Sequence, residues 1–215
     1  LVNSVVPGQT DITLHAIDRR RAGVFDFSGT GASPETDADP DNYEIATGSL
    51  VLANFASGKP VVAYGFPTAF GAAPPDFTGR TLIDYTDVRS ALGVGWGSAG
   101  TLVPFTSIGP DGLLLNNQNG DIDQRHYIKN GPVLIDLTEL DSDTLIVPRS
   151  VGRSLFYIKS ADSLRQYSDF DDFVDDLGLS LNGATTARSM HARGHYDVDT
   201  NVFSAFKIGV YLLEP

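Results

Sequence analysis

Residues 168–178, Ser-Asp-Phe-Asp-Asp-Phe-Val-Asp-Asp-Leu-Gly, specify the start, the body and the end of a helix. Ser168 belongs to the residue types that cap helix N-termini, and Gly178 readily takes the left-handed conformation that ends a helix. Between them, apolar residues recur at the spacing of one helical stripe: Phe170, Phe173, Val174 and Leu177. The stretch predicts an amphipathic helix over about 169–177 that packs its aromatic side onto the rest of the protein.

The aspartates of this predicted helix lie mostly away from the apolar stripe. Asp169, Asp172 and Asp176 recur at helical spacing on the opposite side, which is the pattern of a solvent-facing surface. Asp171 lies near the N-terminus, where the helix macrodipole favours negative charge, whereas Asp175 lies near the other end, where it does not. We therefore expect an anchoring helix with a negative outer surface that a basic neighbour could meet.

The rest of the chain has the pattern of short strands separated by turns. The 22 glycines and 12 prolines are scattered along the 215 residues, and Pro110-Asp111-Gly112 and Asn119-Gly120 are hairpin-type turn signals. A second short helix is predicted over 86–92, because Thr86 is a capping residue and Gly93 follows the last apolar position. The fold class is therefore mainly β, an antiparallel sandwich or jelly-roll-like fold or a barrel, with one or two short helices.

The chain is expected to form a single β-rich domain over 1–215. Hydrophobic residues make up 41% of it, which is enough for a core. Two segments interrupt the strand pattern: 28–42 is rich in Gly, Pro and Asp, and 65–80 is rich in Gly, Pro and aromatic residues. Segments of this composition and length predict long loops or arms that pack on a neighbour.

The formal net charge of −12 limits the partners. A chain this acidic is not expected to bind nucleic acid or an anionic membrane surface. The run Arg19, Arg20 and Arg21 is the exception, and it predicts either a solvated turn or a contact with an acidic partner such as another copy of the chain. The absence of cysteine excludes disulfides, thiolate metal sites and thiol catalysis.

One acidic loop suggests calcium as a cofactor. Asp37, Asp39 and Asp41 alternate along the chain as the first oxygen ligands of a calcium loop do. The pattern departs from a full calcium loop, because Asn42 stands at the glycine position and Gly48 at the position of the last acidic ligand. The alternative is a solvated acidic loop without metal.

No motif in the chain specifies catalysis, and a non-enzymatic protein is predicted. His191 and His195, followed by Asp197, form the densest set of metal-ligand types, but the distal histidine of a facial-triad iron site is missing. Gly95-Trp96-Gly97-Ser98 approaches a nucleophile elbow without matching its spacing. A metal-dependent or glycoside-acting enzyme stays open as a third possibility.

Aromatic residues cluster in one third of the chain. Four of them are candidates for a surface that stacks on sugar or docks a subunit: Phe66, Phe70, Tyr85 and Trp96. The alternative is that they fill or cover a β core.

Residues 79–94, Gly-Arg-Thr-Leu-Ile-Asp-Tyr-Thr-Asp-Val-Arg-Ser-Ala-Leu-Gly-Val, resemble segments of structural proteins of tailed bacteriophages and related particles. The whole chain is similar to them in style, being acidic, free of Cys and poor in Met. The resemblance implies a capsid-associated, decoration, spike or tail protein, located in a virion or extracellular particle. Its partners would be copies of itself, as a homo-oligomer, and other particle proteins. No site residue carries over.

The alternative to a virion component is a secreted carbohydrate-binding β-sandwich. Such a protein would hold Ca²⁺ in an aspartate loop and stack its aromatic side chains on a surface glycan. A receptor-binding spike would combine the two functions.

Overall fold

A computed structural model describes residues 1–6, 8–12, 27–53, 55–119, 126–181 and 183–214. By contacts they form two compact units, where the sequence predicts one domain. Unit 1 is Leu1–Asp87 with Pro132–Ile135, and unit 2 is Val88–Gly131 with Asp136–Pro215. The described residues contain fifteen strands, one α-helix and three short 3-10 helices, the latter at Pro34–Thr36, Asn117–Asn119 and Leu137–Glu139.

Unit 1 is built on a five-stranded sheet. Its strands are β1 (Val2–Val6), β2 (Gln9–Ile12), β3 (Tyr43–Ala46), β4 (Val61–Pro67) and β5 (Phe77–Asp84). They lie in the order β1-β2-β3-β5-β4, so β4 is an edge strand. The core of the unit is small, and its buried members are Val2, Ile12, Ile45 and Val61.

Unit 2 contains the larger sheet and the helix. The remaining strands are β6 (Arg89–Gly95), β7 (Phe105–Gly109), β8 (Gly112–Leu115), β9 (His126–Asn130), β10 (Val133–Asp136), β11 (Thr144–Pro148), β12 (Leu155–Lys159), β13 (Leu164–Tyr167), β14 (Thr186–Asp197) and β15 (Val202–Leu213). From β9 the order is β9-β6-β14-β15-β11-β8-β7, and β12 pairs with both β13 and β15. Strand β10 divides between the units, with Asp136 in unit 2.

The mainly β class with one helix is confirmed. Both sheets are open and mixed, because β3 runs parallel to β5, and β11 and β12 run parallel to β15. Two open sheets fit the sandwich-like alternative of the prediction, and neither sheet closes into a barrel among the described residues. The helix α1 (Phe170–Ser180) is too short and too polar to cross a membrane.

The predicted helix over 86–92 is wrong, since β6 begins at Arg89. The carboxylate of Asp84 accepts hydrogen bonds from the amide of Thr86 at 2.7 Å and from its hydroxyl at 2.5 Å. This Asx-type turn uses the hydroxyl that would have capped a helix. The following residues alternate between buried and accessible positions, which is the period of a strand.

The helix α1 is confirmed, and it is longer than predicted. Asp169, and not Ser168, caps it, because the Asp169 carboxylate accepts hydrogen bonds from the amides of Asp171 and Asp172. The helix continues through Gly178 to Ser180. All four residues of the predicted apolar stripe are buried, and the Phe173 ring stacks on Phe156 of β12 at 5.5 Å between centroids.

The sequence predicts Asp176 on the solvent-facing surface of α1, and this prediction is wrong. Asp176 faces the neighbouring strand β13, where Arg165 donates two hydrogen bonds of 2.5 Å to its carboxylate. The Tyr167 hydroxyl also donates to Asp176. Partial burial and this hydrogen bond raise the pKa of Tyr167 to about 12. Asp176 therefore ties the helix to the sheet, while Asp171, Asp172 and Asp175 stay exposed.

Candidate functional site

The loop over 28–42 is a compact folded loop. The Asp37 carboxylate accepts hydrogen bonds from the amides of Gly31 at 2.8 Å and Gly29 at 3.0 Å. Gly31 has no room for a side chain, because a Cβ there would lie 2.0 Å from the carbonyl oxygen of Thr36. The segment is held by its own bonds and does not have the character of an extended arm.

The predicted calcium ligands do not converge on a common point. Asp37 turns toward the loop amides, and one Asp39 oxygen accepts the Asp41 amide at 2.9 Å. Among the described residues, no group of three or more acidic or histidine side chains is placed to hold a metal ion. The positions of Asp37 and Asp39 are explained by the turn chemistry of aspartate, since both carboxylates accept loop amides.

The predicted aromatic candidates separate by burial. Trp96 is only 6% exposed and packs edge-to-face against Phe105 of the unit 2 core, with 6.2 Å between ring centroids. Tyr85 is half-buried. In contrast, Phe66 is 63% exposed and Phe70 is 83% exposed. Trp96 is therefore a core residue and not a ligand-stacking residue, while Phe66 and Phe70 are available for contact.

Phe66 and Phe70 belong to a hairpin formed by β4 and β5, which replaces the predicted arm over 65–80. Along β4, Val61 and Ala63 point to the core, so the alternate residues point outward. The outward residues are Val62, Tyr64 and Phe66, and Tyr64 is 53% exposed. We call the outward apolar residues of this hairpin the hairpin surface: Tyr64, Phe66, Phe70 and Ile83, which are exposed, and Val62, which is half-buried.

A β-bulge shapes this surface. Tyr64 pairs with Thr81 and Gly65 pairs with Gly79, so Arg80 of β5 has no partner across the hairpin. The Arg80 guanidinium lies 5.8 Å from the centroid of the Phe66 ring. Sequence reasoning missed Tyr64 as a site residue, although its alternation with Val62 and Phe66 is the signal that could have found it.

The outward face of the unit 2 sheet forms a second surface. On β6, β9, β12, β14 and β15, the residues that alternate with the buried ones include many cations. We call the following set the basic face: Arg89, Lys129, Lys159, Arg188, Arg193 and Lys207. All are exposed except Lys207, which is half-buried.

His191 lies at the centre of the basic face, between two glycines. It pairs with Gly93 of β6 on one side and with Gly209 of β15 on the other. Tyr157 of β12 reaches across Gly209 and its hydroxyl is hydrogen-bonded to Nε2 of His191. Gly209 is required for this reach, since a Cβ there would lie 2.3 Å from the Tyr157 ring.

The surroundings of the His191 ring change its pKa. Partial burial of the ring, and then the positive charges of Lys207 and Arg193, lower the pKa of His191 below its ordinary value. His195 lies on the same strand face, four residues away, which is about 13 Å along an extended strand. The two histidines are therefore too far apart to bind one metal ion.

A cavity of about 470 Å³ lies at the N-terminal end of α1. Its titratable residues are Arg149, Arg153 and Asp169, and its lining contains two serines but no histidine. Asp169 is already bonded to the helix amides. The cavity therefore presents no nucleophile with a neighbouring base.

The run Arg19, Arg20 and Arg21 lies outside the described residues. Comparisons of the whole chain with known protein families, with curated proteins and with solved structures gave no match.

Proposed function

We propose that this chain is a non-enzymatic structural component of a virion or similar particle, and that it works through contacts between subunits. The hairpin surface carries this proposal, because it exposes two large aromatic rings, Tyr64 and Phe66, side by side on one strand. The resemblance of residues 79–94 to phage structural proteins supports the particle, and this stretch includes Arg80 and Ile83 of the same hairpin.

Strand β4 combines a sheet edge with an apolar outward face. Among the described residues β4 ends the unit 1 sheet, so one side of its backbone has no paired strand there and could pair with a strand of another molecule. Burying an exposed aromatic side chain contributes about 1.5–3 kcal/mol, so Tyr64, Phe66 and Phe70 together supply the core of a contact. Clustered exposed aromatics of this kind mark protein contact surfaces.

The test is the mass of the protein in solution as a function of concentration. At about 1 M salt, where contacts between exposed charges are screened, sedimentation velocity of the wild type is expected to show oligomers, and the double variant Tyr64→Asp/Phe66→Asp is expected to be monomeric. Val151→Asp is the matched control, since Val151 is 80% exposed but lies in unit 2. At this salt concentration, a wild type that stays monomeric at high protein concentration, or a double variant that still associates, contradicts the proposal.

A second candidate, glycan binding by a secreted protein, is favoured by the same exposed rings. Aromatic faces stack on sugar rings, and Phe70 is the most exposed of the three. A glycan array with Phe66→Ala and Phe70→Ala separates the two functions, since sugar binding by a monomer favours this candidate. Trp96→Ala is unsuitable as a probe, because it removes a buried side chain.

A further inference from the structure

The basic face concentrates positive charge in a protein of net charge −12. Arg193 lies between Ala91 and Lys207 across neighbouring strands, and Ala91 in turn pairs with Lys129. The three cations therefore form a row, with Arg193 and Lys207 about 5 Å apart and Lys129 about 10 Å from Arg193, measured along the backbone ladder. Strand register alone brings them together.

No described carboxylate neutralises this row. The ion pair Arg165–Asp176 lies on the other side of the sheet, and none of the six cations of the basic face has an ion pair within the part of the chain that the structure describes. Asp197, at the end of β14, belongs to the rim of the face. The row consequently offers its charge to a partner.

Two tyrosine rings on this face lie against its own cations. Lys207 lies 5.5 Å from the centre of the Tyr157 ring, and Lys159 and Arg188 lie 5.7 Å and 5.6 Å from that of Tyr211. Such cation–π contacts use the ring faces that a nucleic-acid base or a sugar would stack on. The face therefore presents positive charge more than stacking surface, which favours an acidic protein surface as its occupant.

The same unit carries such an acidic surface on its opposite side. Phe173 of α1 stacks on Phe156, whose side chain points away from that of its neighbour Tyr157 on β12. The helix therefore covers one side of the sheet while the basic face forms the other. Asp171, Asp172 and Asp175 are exposed on the helix and form no ion pair with a described residue. The two charged surfaces cannot meet within one unit.

We propose that the basic face binds the acidic outer surface of α1 of a second copy of this chain. Asp171 and Asp175 are four residues apart, which places their side chains about 6 Å from each other on the helix. This matches the spacing of about 5 Å between Arg193 and Lys207. The inference rests on the proposed function and deepens it by naming the partner and its surface.

The geometry determines the kind of assembly. A contact between two different surfaces of identical chains is heterologous, so it closes into a ring or continues as a stack, and it does not form a two-fold dimer. The contact between exposed charges is also salt-sensitive, because the Debye length falls from about 30 Å at 0.01 M salt to about 3 Å at 1 M. Association through the basic face should disappear over this range.

The test is a charge swap, carried out in the Tyr64→Asp/Phe66→Asp background so that the hairpin surface does not contribute. Sedimentation velocity at about 0.01 M salt should show association of this background protein, lost at about 1 M. Adding Arg193→Glu/Lys207→Glu, or separately Asp171→Lys/Asp175→Lys, should abolish it. In the first variant the basic face becomes negative and the acidic helix surface stays native. In the second variant the helix surface becomes positive and the basic face stays native. A mixture of the two should form assemblies in which the two variants alternate in a one-to-one ratio, with native face against native helix and reversed face against reversed helix. Arg80→Glu, which reverses a single cation outside the basic face, in unit 1, is the control for a change of charge elsewhere.

Three results would overturn this inference. They are a background protein that is monomeric at low salt, reversed variants that associate unchanged, and a mixture that fails to associate. Binding of heparin or of an oligothymidylate by a protein that remains monomeric would assign the face to a polyanion. None of these outcomes bears on the proposed function, which fails only if salt-resistant association through the hairpin surface is absent. Circular dichroism of every variant establishes that it is folded.

Discussion

The hairpin surface of unit 1 and the basic face of unit 2 both carry side chains that alternate outward from strands, yet they differ in how many of their aromatic rings lie near a cation. In the hairpin, Phe66 lies near Arg80, while no described cation lies over Tyr64 or Phe70. Phe70 is 83% exposed in the hairpin, whereas on the basic face Phe206 lies between Arg89 and Arg149, each 5.3 Å from its centre. Open rings suit a dry apolar contact, and cation-covered rings suit a contact between charges. One chain can therefore carry two contact surfaces: an apolar one whose association persists at high salt, and a charged one whose association is lost there.

The largest loss of stability is expected from a substitution in α1, which packs on the side of the sheet opposite the basic face. Phe173 is fully buried against Phe156, so Phe173→Ala should lower the free energy of unfolding by about 3–5 kcal/mol. Urea unfolding followed by circular dichroism measures the change. An effect below about 1 kcal/mol would mean that α1 does not anchor the acidic surface to the sheet.

The next largest loss of stability is expected at Gly209, one of the two glycines beside His191, and not at Gly93, the other. Gly209→Ala should cost about 1–3 kcal/mol, because the new Cβ would lie 2.3 Å from the Tyr157 ring and displace it from His191. Gly93→Ala is the matched control, since its Cβ would lie at an ordinary 3.6 Å from Tyr127. Equal unfolding free energies for the two variants would contradict the described reach of Tyr157.

A smaller effect should appear as a pH dependence of the basic face. The lowered pKa of His191 means that the folded state binds fewer protons than the unfolded state as the pH falls through the ordinary histidine range. This contribution to stability is complete above that range and is lost below it, so the protein should be more stable at about pH 8 than at about pH 5.

Thermal unfolding of His191→Gln across this pH range tests the assignment. The substitution should reduce the pH dependence, because it removes the group whose pKa the fold lowers. A wild-type dependence that His191→Gln does not alter would show that another group is responsible.

The smallest effect on stability is expected at the hairpin surface. Phe66 is 63% exposed, so Phe66→Ala should change the unfolding free energy by less than about 0.5 kcal/mol while it weakens association. Sedimentation velocity and urea unfolding of the same sample provide both readings. A large loss of stability in the monomer would place Phe66 in the core and remove the contrast between the two surfaces.

The elements that follow from local pattern could be predicted from the sequence. The stripe of Phe170, Phe173, Val174 and Leu177 predicts α1, and alternation predicts most strands. The helix over 86–92 was mispredicted because Asp84 competes for the Thr86 hydroxyl. The end of α1 was misplaced because Gly178 fits within the last turns of the helix.

The candidate surfaces were less predictable, because they depend on register between distant strands. Lys129, Arg193 and Lys207 are separated by up to 78 residues, and only the pairing of β9, β6, β14 and β15 brings them into one row. Trp96 and Phe66 have the same aromatic character in sequence, but one is buried and the other exposed. Burial of this kind follows from the tertiary fold and not from the spacing of aromatic residues.

Hydrogen–deuterium exchange of β4 at low and high protein concentration tests most directly whether the hairpin surface is a subunit contact. The account predicts that the amides of Val61–Pro67 exchange more slowly as concentration rises, also at about 1 M salt, because a second copy covers the open edge. Tyr64→Asp/Phe66→Asp should remove this protection. Exchange of β4 that does not depend on concentration would contradict the account.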